Sequence, residues 1–131
     1  NIALQVSKSF EQQGADVIFP VAGGLGAATA GQYLKDKKSV TIWVDSDGFK
    51  VVPQYRSVLL SSVIKRVDNS VAAAIKETAA GKFSGTGYMG TLANKGTVLG
   101  PYHDLAKKVP AKLQNEIRAI AKKIKSGALK V

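Results

Sequence analysis

Two stretches, Ala15–Val21 (ADVIFPV) and Ser39–Val44 (SVTIWV), are apolar almost without a break, and each runs straight into turn-forming residues. A strand wetted on one face alternates polar and apolar side chains; a strand covered on both faces does not. Strands of the second kind belong to parallel sheets. Parallel neighbours cannot be joined by a tight hairpin, so the segments between them must act as crossovers, usually helices.

The intervening segments meet that demand. Ile2, Val6 and Phe10, with Ala3 beside them, have helical spacing over Ile2–Gln13, and Gly14 is a stop. Gly23–Gly26 makes a turn, and Ala27–Lys35 predicts a second helix. Asp45-Ser46-Asp47-Gly48 closes the SVTIWV strand. Val58–Ser61 predicts a third strand, and Ser62 caps a helix with the stripe Ile64, Val67, Val71 and Ile75, ended by Gly81. Gly85–Gly100 holds five glycines and predicts a hairpin or edge strands around Tyr88–Leu92 and Thr97–Leu99. A last helix has Pro110 near its first turn and apolar residues at Leu113, Ile117, Ile120 and Ile124. Gly127 ends it, and Ala128–Val131 predicts a terminal strand. The order α-β-α-β-β-α-β-β-α gives the fold class: α/β, a parallel-sheet sandwich with helices on both faces, in a single domain over residues 1–131. Trp43 and Phe19 are expected in its core.

Composition narrows the chemistry. The 131 residues include no cysteine and one histidine, His103, which excludes disulfides, thiolate sites and a histidine-rich metal site. No apolar run approaches the roughly 20 residues of a membrane span. No signal-peptide pattern is visible, because the chain passes from Asn1 directly into a helical pattern. The net charge of +10 raises nucleic acid or an anionic surface as partner. The basic residues do not concentrate, however. Lys35, Lys37 and Lys38 form one group; Lys107, Lys108, Lys112, Arg118, Lys122, Lys123 and Lys125 spread round the last helix. Tyr88 and Tyr102 lie outside that helix, so no aromatic residues interleave with the charges as a single-strand binder requires. A solvated basic face is expected.

The glycine turn admits three readings. Gly24-Leu25-Gly26-Ala27-Ala28-Thr29 partly fits a dinucleotide fingerprint, with Asp45 about twenty residues on, but Thr29 stands where glycine or alanine belongs. No lysine-serine or lysine-threonine pair follows, so a phosphate loop is excluded. The glycines would otherwise serve a sharp turn and close helix–sheet packing. The third reading uses the rule that open α/β sheets bind ligands beyond the carboxyl ends of their strands. Gly23, Gly24 and Asp45 lie at such ends, and Ser62 and Lys65 lie where the third strand enters a helix. Backbone N–H groups, one carboxylate and one lysine suit a polar, hydroxyl-rich small molecule. Ser61, Ser62 and His103 are too generic for a triad. Asp45 and Asp47 shape a turn, and His103 has a surface or packing role. Phe49 and Tyr55 flank the loop after Asp45.

GADVIFPVAGGLG, WVDSDG, SVLLSSVIKRVDNSV, GKFSGTGYMGTLANKGTVLG and VPAKLQNEIRAIAKKIKSGALKV follow one another in an order and spacing that resembles the basic membrane protein family. These are bacterial substrate-binding lipoproteins, among them purine-nucleoside receptors of ABC transporters. The resemblance covers essentially the whole chain. It implies one lobe of a type I periplasmic-binding protein, the C-terminal one, with Asn1 just inside the first helix after a hinge crossing. It implies that the N-terminal lobe, the lipidated cysteine and the aromatic residues that hold the base lie outside these residues. It further implies a non-catalytic receptor at the cell envelope, without cofactor, that passes a nucleoside to an ABC permease. Carried over by motif, Ala22, Gly23 and Gly24 offer backbone contacts, Asp45 accepts from ribose hydroxyls, and Lys65 is its cationic companion. The family commonly has glutamine where this chain has Gly48. The alternatives to this receptor are a dinucleotide-binding α/β enzyme domain and a basic module for nucleic acid or anionic surfaces.

Overall fold

The computed structural model describes residues 2–131, and the expectations for Asn1 lie outside the described residues. Four strands, β1 (Val17–Ile18), β2 (Val40–Asp45), β3 (Leu59–Lys65) and β4 (Thr97–Leu99), form one sheet in the order β1-β2-β3-β4. β1 and β2 are parallel, and so are β2 and β3. The helices are α1 (Ile2–Gln12), α2 (Gly26–Asp36), α3 (Gly48–Val51), α4 (Val67–Ala79) and α5 (Ala111–Lys125). Short 3-10 turns occupy Gly23–Leu25, Pro53–Val58 and His103–Lys108. The fold is the expected α/β class. The chain divides into two compact units, Asn1–Ile64 with Leu99–Val109, and Lys65–Val98 with Pro110–Val131.

In the first unit the core forms where α2 lies against β2. Ile18, Ala30, Tyr33, Trp43, Val58 and Leu59 make one buried cluster. Trp43 and its neighbour Val44 point to opposite faces of the sheet, yet both are buried. That double burial is why SVTIWV shows no alternation. α1 packs on α2 through small side chains, with Ser7 Oγ and Thr29 Oγ1 2.8 Å apart and both residues buried. Phe19, expected in the core, is instead 43% exposed. β1 stops at Ile18, so the chain has already left the sheet at Phe19.

Ser62 departs from its expected role. β3 continues through it to Lys65, so Ser62 is a buried strand residue and caps no helix. Its hydroxyl accepts the Gly48 N–H at 3.1 Å, and Ser61 Oγ donates to the Gly100 carbonyl at 2.8 Å. Two adjacent serines can sit inside a sheet because each hydroxyl finds a backbone partner. Ile64 consequently belongs to β3, and α4 begins at Val67 with no side-chain cap.

The second unit contains α4, α5 and the glycine-rich loop. Val67, Val71 and Ile75, predicted as a buried stripe, are 62%, 52% and 63% exposed. Tyr88–Leu92 forms no strand. The loop is organised by Asn94, whose Oδ1 accepts from the N–H groups of Thr91 and Gly96 and whose Nδ2 donates to the Met89 carbonyl. Side-chain bonds of this kind offer the backbone an alternative to strand pairing. Ala128–Val131 is not a strand either. Gly81 and Gly127 stop their helices as expected, at φ of 66° and 75°.

Candidate functional site

Parallel strands place their carboxyl ends on one side of a sheet, where the chain turns away and leaves room for a ligand. β1 leads through Pro20 and Ala22 into the 3-10 turn Gly23–Leu25 and then α2. Its neighbour β2 ends at Asp45. Trp43 connects the two turns. A methyl group on Gly26 would lie 3.4 Å from its Cζ3, and one on Gly48 only 2.6 Å from its Cγ. One indole therefore touches both the glycine turn and the turn that follows Asp45.

The glycines of the first turn are not equivalent. Gly23 has φ 55°, a left-handed conformation that favours glycine. Gly26 is held close to Trp43 and Pro20. Gly24 has neither constraint: its φ is ordinary, and a methyl group there would meet nothing within 4 Å. Leu25 is the first residue whose N–H returns into the turn, to the Ala22 carbonyl at 3.2 Å. The N–H groups ahead of the first bonded donor in a helical start are available to solvent or to a ligand. Ala22, Gly23 and Gly24 are all exposed.

Asp45 is exposed at the end of β2, with φ 72°, an uncommon conformation for a residue with a side chain. The Ser46 N–H folds back to the Val44 carbonyl at 2.9 Å, so the chain reverses sharply there. Asp45 is in register with Ile64, and Lys65 is the next residue and the last of β3. Lys65 is exposed and opens the second compact unit. In the first unit Ala22, Gly23 and Gly24 therefore follow β1 in the turn before α2, and Asp45 ends the paired strand β2. Lys65 is placed only by its position at the end of β3.

The turn after Asp45 carries a group of side chains that the sequence showed only as separate residues. Asp47 caps α3 by accepting the Phe49 N–H at 3.2 Å. His103 Nε2 stands 3.1 Å from both carboxylate oxygens of Asp47, the arrangement of a ring N–H shared by a carboxylate. The His103 ring stacks on Phe49 with centroids 4.0 Å apart and planes 12° from parallel. Arg56 lies over the Phe49 ring at 4.4 Å and donates to the Phe49 carbonyl at 2.8 Å. Asp47 and His103 are separated by 55 intervening residues, and no spacing rule joins them. The one local signal was the aspartate-serine-aspartate-glycine turn itself. Tyr55 packs against the core cluster.

A groove of about 560 Å³ between α1 and the start of α2 is lined by Val6, Phe10, Ile18, Phe19, Ala22 and Leu25 among others, with no charged side chain. It suits apolar groups and not a hydroxyl-rich ligand. Among the described residues no cluster of histidine and carboxylate side chains is placed to hold a metal, and no helix is long and apolar enough to cross a membrane.

Several solved structures share this fold. A transcriptional activator of the comK gene from Bacillus halodurans superposes with a TM-score of 0.82 at 18% identity, covering 98% of this chain and 43% of that one. An ABC transporter solute-binding protein from Aeropyrum pernix K1 gives 0.78 at 21% identity, covering 98% and 43%. One from Conexibacter woesei gives 0.73 at 18% identity, covering 98% and 41%. The chain therefore spans less than half the length of each. No curated protein shows significant sequence similarity to it. A profile of the Bmp family, described as ABC transporter substrate-binding protein PnrA-like, matches residues 1–131.

Proposed function

The chain belongs to the Bmp family of ABC transporter substrate-binding proteins, and from that premise we propose that it is the C-terminal lobe of an extracytoplasmic receptor for a purine nucleoside. The receptor is non-catalytic, carries its lipid anchor outside these residues, and delivers its ligand to an ABC permease. The nucleoside lies against the strand ends of this lobe and is enclosed by a second lobe that closes about a hinge. Ala22, Gly23 and Gly24 supply backbone contacts to the sugar, the Asp45 carboxylate accepts from its hydroxyls, and Lys65 is the cationic companion of Asp45.

The observation that carries this reading is the open face of Gly24 in the turn that follows β1, the strand paired with the one that Asp45 ends. Among the described residues no contact requires glycine at position 24, whereas close approach of a ligand to the backbone does. An exposed carboxylate at the end of the adjoining parallel strand is the natural acceptor for vicinal hydroxyls.

Isothermal titration of guanosine, inosine and adenosine into the full-length protein tests the reading. Saturable binding is expected for at least one of them. Asp45→Ala leaves ligand hydroxyls without their acceptor and is expected to cost about 2–4 kcal/mol of binding. Unchanged affinity in Asp45→Ala would remove Asp45 from the site. A well-folded protein that binds no nucleoside would overturn the choice of ligand.

A further inference from the structure

The conformation of Asp45 is unusual enough to need a cause. Its φ of 72° is accessible to aspartate but uncommon, and a residue stays there only when its surroundings hold it. The residues just after it are tied down from three directions, all within the first unit. From β3, Ser62 Oγ accepts the Gly48 N–H. From the Pro53–Val58 turn, Arg56 bonds the Phe49 carbonyl and covers one face of its ring. From the segment after β4, His103 covers that ring by stacking and bonds Asp47.

The His103 contact is the most specific of the three. It engages both carboxylate oxygens, and one of them also caps α3 through the Phe49 N–H. The His103 and Asp47 side chains retain only 21% and 13% of their exposure, so solvent screens the bond weakly. His103 is itself held at φ 42°, a second uncommon backbone conformation. Two strained positions, Asp45 and His103, thus lie at either end of one connected arrangement.

We propose that His103 is a positioning residue: through Asp47 it holds the turn at 45–49 in the conformation that presents the Asp45 carboxylate to the ligand. The proposal rests on the receptor reading for the identity of the ligand, but not for the coupling of His103 to the turn. It makes ligand affinity depend on a side chain that acts through another residue.

The test uses the full-length protein with His103→Ala and His103→Gln, the latter keeping an N–H able to reach Asp47. Guanosine and a guanosine lacking both secondary ribose hydroxyls are titrated into each. In the wild type, loss of the hydroxyls weakens binding. In His103→Ala, guanosine is expected to bind about tenfold more weakly, the loss of roughly one charge-assisted hydrogen bond. The hydroxyl-free analogue should be little affected, because it never used Asp45. His103→Gln should recover most of the guanosine affinity. Equal loss for both ligands, or no loss for either, overturns the proposal.

Amide hydrogen exchange tests it without any ligand. His103→Ala should speed exchange at the Phe49 N–H, which Asp47 accepts, and leave the central β2 amides unchanged. Unaltered exchange at Phe49 overturns the positioning role. A wild-type protein that binds no nucleoside overturns the choice of ligand alone, and the exchange result then decides on His103.

Discussion

Gly24 and Gly48 are the same residue type with opposite constraints. A methyl group on Gly48 would sit 2.6 Å from Trp43 Cγ and 2.7 Å from its Cβ, atoms that cannot swing aside. Gly48→Ala is therefore expected to destabilise the fold by about 1–3 kcal/mol, the usual cost of overpacking. Gly24→Ala meets nothing within 4 Å and should change stability by less than about 0.5 kcal/mol. If a ligand lies on Gly24, the same substitution should nevertheless weaken nucleoside binding. Thermal melts and titrations of the two variants separate these effects; a Gly24→Ala protein with full affinity would place the ligand elsewhere. The glycine run marked a turn in the sequence, but not which glycine serves backbone conformation, which serves packing and which stands open. Those distinctions depend on Trp43, which lies seventeen residues beyond Gly26 in the chain.

At the scale of elements, the contact between α1 and α2 carries a pH signature. Glu11 Oε1 is shielded from solvent and has no hydrogen-bond partner among the described residues. Burial raises its carboxyl above the ordinary value of 4.5 against the opposing effect of the Ser39 hydroxyl, and the nearby Asp36 carboxylate adds to the rise. The folded protein thus holds this proton more tightly than the unfolded chain does. The stabilisation it brings is complete below about pH 4.5 and is lost as pH rises through the higher folded value. Glu11→Gln should raise the melting temperature slightly at pH 7 and flatten its dependence on pH above 4.5. Melting curves across that range check it; an unchanged slope would show that Glu11 is solvated in solution. Tyr33, beneath the same contact, is pushed up to about 12 by burial and by the carboxylates of Glu11 and Asp36, and stays neutral throughout. Element types were legible where residues carried helical spacing, as in α1 and α5, or an unbroken apolar run, as in β2. β3 was cut short because Ser61 and Ser62 read as the end of a strand. Their hydroxyls are satisfied by Gly100 and Gly48, partners that no local window contains. The glycine-rich loop misled for the related reason that Asn94 takes the bonds a hairpin ladder would have used.

For the whole molecule, a net charge of +10 predicts general attraction to anions, whereas a nucleoside is neutral. Nucleoside affinity should therefore hold within about twofold between roughly 50 and 300 mM salt, while any nucleic-acid association falls steeply over the same range. If the ligand lies at the proposed site, a nucleoside monophosphate should bind more weakly than its nucleoside, because the one carboxylate and one lysine assigned there leave no surplus positive charge for a phosphate. Competition between the two at both salt concentrations checks this, and tighter binding of the monophosphate would overturn it.

The sequence by itself determined the α/β class, the parallel pairing of the first three strands and the turn in which β2 ends, but not the end of β1, which stops at Ile18. Each follows from local regularities: continuous apolar runs, helical spacing, and glycine or aspartate where a chain reverses. It also brought Gly23, Gly24 and Asp45 to notice as residues at strand ends. The tertiary structure alone decided that Trp43 touches both turns, that Ser62 lies inside β3, and that Asp47, Phe49, Arg56 and His103 form one stacked and bonded group. Contacts between residues distant in the chain leave no periodic trace, because they depend on how the elements pack and not on the pattern within any one of them.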